Sequence, residues 1–278
     1  MPWCRGIAHS CRYCAPVLAR CVDTDLMAAA SRGGGFIRAV RIDVPATAAS
    51  QWPFTIPSIA SFGRRSFDPA VTYLVGENGS GKSTLVEALA VAVGLNAEGG
   101  TRNMGFSTAD SHTALTKHLV VERRGRPRTD FFLRAESFFN VASHIDRLDE
   151  DPLGGPKIRE AYGGQSLHTR SHGESFIATL THRLGPGGLY FLDEPESALS
   201  FHGCLTLLRV INDLTREGSQ FVIATHSPIV LASPGALIYS LDEDGIKTTH
   251  YDEAPPVINN REFLRSPERF LRHLFADD

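Results

Sequence analysis

The chain has 278 residues, of which 42% are hydrophobic and 21% charged, and its formal net charge is −3. This composition is typical of a globular protein with one large α/β domain, and the acidic balance excludes a general attraction to nucleic acid. No apolar run reaches the roughly 18–20 residues of a membrane-spanning helix, and no apolar core of a secretory signal follows the N-terminal basic residues. We therefore expect a cytoplasmic protein.

The first 35 residues are expected to be an extension ahead of the folded domain, which we place at residues 36–278. A zinc site in this extension is the less favoured interpretation, because only Cys11 and Cys14 form a CxxC pair. Disorder, or a start codon assigned too early ahead of Met27, accounts for the segment more simply. Four of the chain's five cysteines lie here, at Cys4, Cys11, Cys14 and Cys21.

Strands and helices are predicted to alternate after this extension, which indicates a mostly parallel sheet with helices on both faces and an antiparallel portion in the N-terminal half. Cys204 falls within a predicted helix and is expected in the core. Runs rich in β-branched and aromatic residues predict strands at 36–44, 71–75, 119–122, 130–134, 189–192, 220–224, 236–241 and 246–251. Helical spacing of apolar residues predicts helices at 82–93, 135–148, 173–184, 198–217 and 262–275.

Two arginine-rich segments can each be interpreted as a solvent-exposed structural feature or as a binding site. The turn at residues 123–128 could contact DNA phosphates or an acidic partner. A solvated hairpin tip between two strands is the favoured interpretation. The arginines of the last helix are balanced by acidic residues, so that segment is interpreted as a solvated helix face.

The segment GENGSGKS at residues 76–83 matches the G-x-x-x-x-G-K-[ST] pattern without a mismatch. It follows a predicted strand and precedes a predicted helix, which is the context that a phosphate-binding P-loop requires. Glycines let backbone N–H groups point at phosphate oxygens, Lys82 supplies charge, and Ser83 offers a hydroxyl to Mg²⁺. The predicted nucleotide-binding residues are Gly76, Asn78, Gly79, Ser80, Gly81, Lys82, Ser83 and Thr84.

Two carboxylates follow the buried strand predicted at residues 189–192. Asp193 is expected to hold Mg²⁺, directly or through water. Glu194 is expected to act as the general base that polarises the attacking water. An acidic turn at a strand end is common by itself, but a P-loop needs such a partner, so the catalytic interpretation is favoured.

Two further segments complete a pattern: SHGES at residues 171–175, and a strand ending at His226. In this order, the four elements resemble the ATP-binding-cassette (ABC) ATPases. The resemblance extends from residue 36 to the C-terminus. It is to the branch that includes the SMC and RecF-type DNA-repair ATPases, and most closely to stand-alone prokaryotic proteins grouped as AAA family ATPases.

The resemblance implies a site shared between two copies of the chain. Ser171, Gly173 and Glu174 match the family signature, which docks against the γ-phosphate held by a second subunit. His226 matches the switch histidine that contacts this phosphate. Residues 197–200 match the D-loop, which crosses the dimer interface. The implied ligands are ATP and Mg²⁺, and the implied partner is a second copy of the chain.

The sequence departs from the family at several positions. No glutamine follows the strand at 130–134, where the family has its Mg²⁺-sensing Q-loop, and Glu136 is the candidate there. His172 and Ser200 replace the usual glycine and aspartate. Phe62 is the candidate for stacking on adenine.

We therefore predict an ATP-hydrolysing, ATP-gated homodimeric switch. Two alternatives stay open. One is a DNA-repair or chromosome-associated ATPase, without the long coiled-coil arm of SMC proteins because no heptad run separates the P-loop from the signature. The other is the ATPase subunit of an ABC transporter, with an unidentified DNA or protein partner in either case.

Overall fold

A computed structural model of the chain describes residues 35–97, 99–100, 113–136 and 172–276. The predicted N-terminal extension with its four cysteines, most of the predicted helix at 135–148 and Ser171 lie outside these residues. The described strands are β1 Ile37–Ile42, β2 Arg64–Ser66, β3 Val71–Gly76, β4 Leu119–Arg123, β5 Thr129–Arg134, β6 Gly188–Asp193, β7 Gln220–Ala224, β8 Leu237–Asp242 and β9 Gly245–Thr249. The described helices are α1 Pro57–Ala60, α2 Lys82–Ala92, α3 Thr113–Lys117, α4 His172–Arg183, α5 Phe201–Arg216, α6 Pro255–Arg265 and α7 Pro267–Leu274.

A six-stranded sheet in the order β5-β6-β7-β3-β8-β9 carries the fold. All of its neighbouring strands are parallel except β8 and β9, which form an antiparallel hairpin. Every residue of β3, β6 and β7 is buried, which explains why these segments are continuously apolar rather than alternating. The predicted α/β class and mainly parallel sheet are confirmed.

A smaller antiparallel sheet in the order β2-β1-β4 supplies the antiparallel portion that the sequence predicted. The buried side chain of Gln220, at the start of β7, joins it to the main sheet. The Gln220 amide accepts a hydrogen bond from the backbone N–H of Ile37 and donates to the carbonyls of Ile37 and Asp68, each at 2.8 Å. Because all three bonds are buried or partly buried, they fix the position of one sheet on the other.

The prediction of a hairpin around the arginine turn is wrong. The strands on either side of it belong to different sheets, because β4 pairs with β1 whereas β5 pairs with β6. The turn at residues 123–128 is thus a crossover between sheets. Two short strand-like runs around a polar turn are equally compatible with both arrangements, so the sequence pattern could not distinguish them.

The two faces of the main sheet bury separate cores. Side chains alternate along β3, so that Tyr73 and Val75 pack with α4 and α5 on one face, while Leu74 packs with α2 on the other. Cys204 lies in the first of these cores at 4% exposure, as predicted. The carboxyl ends of the parallel strands and the start of α2 therefore meet at one edge of the sheet.

Two predicted helix boundaries are corrected. The helix predicted from residue 198 begins at Phe201, because residues Pro195–Ala198 form a separate 3-10 turn and Ser200 caps the new helix. The single helix predicted at 262–275 is two helices that meet at Ser266, since Pro267 occupies the first turn of α7. Among the described residues, no helix combines the length and the apolar character needed to cross a bilayer.

The surface of the last two helices is more apolar than the solvated helix face that the sequence analysis predicted. They present large side chains that are at least 36% exposed, and α7 has no buried residue. The exposed apolar side chains here are Ile258, Phe263, Leu264, Phe270, Leu271, Leu274 and Phe275.

Candidate functional site

The P-loop joins β3 to α2 as predicted, and its glycines have conformations that other residues avoid. Gly76, Gly79 and Gly81 have φ values of +154°, +82° and +96°. A Cβ atom on Gly76 would lie 2.2 Å from the carbonyl oxygen of Leu241. The loop can therefore close tightly only with glycine at this position, and it leaves residues 77–79 exposed at the surface.

Lys82 begins α2 and is 4% exposed. Its Nζ donates a hydrogen bond to the Glu77 carbonyl at 3.0 Å, across the curve of the P-loop. Burial lowers the pKa of the Lys82 ammonium, and the nearby carboxylates of Glu194 and Asp193 oppose that effect. Lys82 thus interacts electrostatically with Asp193 and Glu194, the two acids that the sequence analysis assigned to the site.

Asp193, the last residue of β6, is only 3% exposed. Burial raises its pKa to about 6, against the lowering effects of a hydrogen bond from Ser83 and of the Arg134 guanidinium. One carboxylate oxygen, Oδ2, lies 3.3 Å from Arg134 Nε. The other, Oδ1, is buried and has no hydrogen-bond partner among the described residues.

These features fit a magnesium ion. A buried, unpartnered carboxylate oxygen is costly unless a cation or a donor satisfies it. The Ser83 hydroxyl beside Asp193 supplies a second oxygen of the type that Mg²⁺ prefers. These two oxygens match the ligand demand of Mg²⁺, which takes few protein ligands and completes its shell with phosphates and water.

Arg134, the last residue of β5, was missed by the sequence analysis. Its guanidinium contacts three carboxylates: Glu87 at 3.2 Å, Asp193 at 3.3 Å and Glu136 at 3.7 Å. Glu87 lies on α2 and is 2% exposed, whereas the Glu136 side chain is 78% exposed. The side chain that touches Asp193 from this strand end is therefore Arg134. The metal role of Glu136 stays a prediction.

Glu194 and His226 meet beside these groups. His226 Nε2 lies 3.3 Å from Glu194 Oε1, and both side chains are about one-third exposed. Glu194 has a φ of +47°, the only positive value for a non-glycine among the described residues. Such a conformation costs about 1–3 kcal/mol and is typical of functional sites. The carboxylate that the sequence assigned as base thus faces the predicted switch histidine.

Glu196 is a second residue that the sequence analysis missed. Its Oε1 accepts hydrogen bonds from the backbone N–H groups of His226 at 2.6 Å and Ser227 at 3.1 Å. Glu196 lies two positions after Glu194, and no local sequence pattern predicts these contacts. Its hydrogen-bond partners are 30 and 31 positions away in the chain.

The signature and adenine candidates have different outcomes. Gly173 lies in the first turn of α4, where a Cβ would be 3.2 Å from the Ala198 carbonyl. Glu174 is also on α4, whereas Ser171 falls outside the described residues. Phe62 cannot stack on adenine in this structure, because it is 1% exposed and packs inside the core beneath α2. That prediction is wrong.

Two protein-family profiles match separate parts of the chain. The first, described as "AAA domain", covers residues 56–138 and hence the P-loop. The second, described as "AAA domain, putative AbiEii toxin, Type IV TA system", covers residues 175–232 and hence Asp193, Glu194 and His226. The two matches thus include the P-loop and the strand ends that face it.

The chain is also similar to curated ABC proteins. It is 30% identical over 173 residues to an ABC transporter ATP-binding protein of Pyrococcus furiosus, covering 58% of this chain and 65% of that protein. It is 27% identical over 175 residues to ABC transporter G family member STR2 of Medicago truncatula, covering 57% of this chain but 24% of that protein. The alignments therefore span less than two thirds of these relatives.

Among solved structures, the SMC head domain from Thermotoga maritima aligns with a TM-score of 0.41 at 16% identity. That alignment covers 77% of this chain and 99% of the other. The dimeric ATP-binding cassette MJ0796, bound to ADP and phosphate, aligns with a TM-score of 0.40 at 15% identity, covering 68% and 88% of the two chains.

Proposed function

We propose that the chain is an ABC-type ATPase, which binds and hydrolyses ATP as an ATP-gated homodimer; the family profiles and the similar ABC proteins support this assignment. Each site would combine the P-loop, the two strand-end acids and the switch histidine of one copy with Ser171 and Gly173 of the other. Hydrolysis would reopen the dimer, so that the chemistry drives a conformational switch.

The observation that carries the proposal is the convergence of the predicted groups at one edge of the sheet. Ser83 hydrogen-bonds Asp193, Lys82 lies in the field of both acids, and His226 contacts Glu194. These side chains come from three distant segments of the sequence, and no structural requirement of a parallel sheet brings charged groups together in this way. Their combination matches the needs of phosphoryl transfer to water.

Each group has a task that its position supports. The P-loop N–H groups and Lys82 would neutralise the phosphates, and the negative charge of the phosphates would favour the protonated form of Lys82. Glu194 would accept the proton of the attacking water, and His226, 3.3 Å away, would orient that water and the γ-phosphate. A magnesium ion on Ser83 and Asp193 would supply positive charge to the phosphate oxygens.

The dimer part of the proposal is supported by the openness of the site. The Glu194 and His226 side chains remain about one-third exposed, and residues 77–79 of the P-loop are exposed. Hydrolysis needs water to be excluded except at the point of attack. A second copy that presents the start of α4 would cover the site and would aim a helix N-terminus at the γ-phosphate.

ATP turnover measured over a range of protein concentrations tests the composite site. Specific activity should rise with concentration and follow the dimer fraction seen by light scattering in the same samples. High activity that is independent of concentration, in a sample shown to be monomeric, would exclude the shared site while leaving the ATPase assignment intact.

Glu194→Gln tests the role of the base. The substitution keeps the shape of the side chain but removes its proton acceptor, so turnover should fall at least about 100-fold while ATP is retained and dimer accumulates. Glu243→Gln, in the exposed β8–β9 turn, is the matched control and should behave as wild type. Normal turnover of Glu194→Gln would remove this residue from its role.

A transporter subunit is the second candidate, since the relatives named above include ABC transporter proteins. It predicts that turnover is low in the isolated chain and rises when a membrane partner is supplied. Full turnover by the purified homodimer would favour the switch instead. The cytoplasmic location stays a prediction.

A further inference from the structure

Glu196 makes an unusual set of contacts for a residue that the catalytic scheme does not use. It lies on the 3-10 turn Pro195–Ala198, directly after the proposed base Glu194. Its Oε1 accepts two backbone N–H bonds from the loop after β7: His226 N at 2.6 Å and Ser227 N at 3.1 Å. Hydrogen bonds to an ionised carboxylate are shorter and stronger than neutral ones, so this single oxygen anchors both residues.

The anchored loop has few other restraints at His226. The next residue, Ser227, also donates its N–H to Thr225 Oγ1 at 3.0 Å, and its own hydroxyl accepts from the N–H groups of Ile229 and Val230 at 3.3 Å. The loop beyond Ser227 is therefore held from within. The N–H of His226 is held from outside the loop, by Glu196.

The same turn carries both the base and the anchor. The Glu194 carbonyl accepts hydrogen bonds from the N–H and the hydroxyl of Ser197, at 3.1 and 2.9 Å, which closes the turn. The Glu194 N–H donates to the carbonyl of Ala224, at the end of β7. A rigid unit thus spans the ends of β6 and β7 and fixes the contact between His226 Nε2 and Glu194 Oε1.

We infer that Glu196 is a positioning residue, which holds the His226 backbone so that the imidazole meets Glu194 and the γ-phosphate together. This inference rests on the proposed ATP hydrolysis. The other carboxylate oxygen, Oε2, is buried and has no hydrogen-bond partner among the described residues, so the hydrogen bonds that the structure describes for this carboxylate are the two to the His226 and Ser227 N–H groups. A carboxylate is costly to bury in this way unless the contacts it makes are needed.

Steady-state kinetics of Glu196→Ala and Glu196→Gln give the first test. Loss of the anchor should lower kcat about 10- to 100-fold, because a displacement of about 1 Å at a reacting group has an effect of that size. KM for ATP should change less than about 3-fold, since the P-loop is untouched. Glu196→Gln keeps an acceptor oxygen and should recover most of the loss, and Glu243→Ala is the exposed control.

A double-mutant cycle with His226→Ala separates positioning from a general structural effect. If Glu196 acts through His226, the Glu196→Ala change should lower kcat less than about 2-fold in the His226→Ala background. An equal loss of kcat in both backgrounds would overturn the inference, and so would wild-type kcat in Glu196→Ala.

Amide NMR of the whole chain decides the contact even without turnover. A backbone N–H that donates to a carboxylate at 2.6 Å should give a strongly downfield proton signal for His226. This signal should move far upfield in Glu196→Ala and only part of the way in Glu196→Gln, which keeps a neutral acceptor oxygen. An unchanged signal in the alanine variant would refute the anchoring. An inactive wild type would instead reject the proposed hydrolysis, and the NMR result would still report on the anchor.

Discussion

The Arg134 guanidinium lies 3.3 Å from the Asp193 carboxylate and 3.2 Å from that of Glu87. The two acids are 3% and 2% exposed, so Arg134, at the end of β5, brings positive charge to two buried acids, one at the end of β6 and one on α2. It does so beside the oxygen that we assign to Mg²⁺. The nucleotide-free site therefore contains its own positive charge before a metal ion binds.

Removing this charge should destabilise the nucleotide-free protein. We expect Arg134→Met, which keeps the length of the side chain, to lower the free energy of unfolding by about 3–5 kcal/mol, because two buried carboxylates lose an ion pair with the guanidinium. Arg261→Met is the matched control: Arg261 pairs with Asp252 at 2.6 Å, but both side chains are more than half exposed, so about 1 kcal/mol or less is expected. Urea denaturation of both variants measures the difference. Equal losses would show that the buried cluster adds no more than a surface ion pair.

The raised pKa of Asp193 predicts a pH dependence of stability. A folded-state pKa of about 6, against an ordinary pKa of 3.8, means that the folded protein holds this proton more tightly than the unfolded chain does. The contribution of Asp193 to stability is thus full below about pH 4 and is lost as pH rises through 6, by up to about 3 kcal/mol. The Tm of nucleotide-free wild type, relative to Asp193→Asn, should fall between pH 5 and 7.5.

The same group predicts the opposite trend for metal binding. Mg²⁺ requires the ionised carboxylate, so the Mg²⁺ affinity of the ATP complex should rise with pH up to about 6 and level off above it. Titration of Mg²⁺ into the ATP complex at several pH values measures this. A flat profile from pH 5 to 7.5 would show that Asp193 is already ionised once ATP is bound.

The sequence predicted those parts of the site that depend on local pattern. The P-loop needs a strand, glycines and a helix in immediate succession, and residues 71–92 contain all three in that order. Asp193 and Glu194 end a strand that is apolar because it is buried on both faces. Such features need no knowledge of which strands pair.

The remaining features depend on pairing and could not be found from the same patterns. Arg134 reaches Asp193 because β5 lies next to β6, and Glu196 reaches His226 because β6 lies next to β7. The arginine turn was misassigned for the same reason, since β4 and β5 are consecutive in the sequence but belong to different sheets. Phe62 was misassigned because the sequence pattern does not distinguish an aromatic residue that packs in the core from one that stacks on a ligand.

Replacement of Gly76 should abolish nucleotide binding. A methyl group there would meet the Leu241 carbonyl at 2.2 Å and the Ser80 hydroxyl at 2.7 Å, so Gly76→Ala must displace the loop from the end of β8. Gly63→Ala separates this clash from the cost of the backbone conformation, because Gly63 also has a positive φ, +56°, but nothing lies within 4 Å of its Cβ position. Fluorescent ATP binding should be lost in the first variant and kept in the second. Retained binding by Gly76→Ala would show that the loop can move without losing the phosphate cradle.

Substitutions of Ser200 can distinguish its role in stability from a role in the proposed dimer contact. Its hydroxyl accepts the N–H of Gly203 at 3.2 Å and so caps α5, in the segment that resembles the D-loop. Ser200→Ala should lower the free energy of unfolding by about 1 kcal/mol, whereas Ser200→Asp, which restores the usual family residue, should keep the cap and interact well with the helix N-terminus. Urea denaturation gives the ranking, with the serine and aspartate forms within about 0.5 kcal/mol of each other. If alanine and aspartate destabilise equally, the hydroxyl matters for a contact other than the cap. A change in ATP turnover of Ser200→Asp at unchanged stability would instead indicate that this position contacts the second copy of the chain.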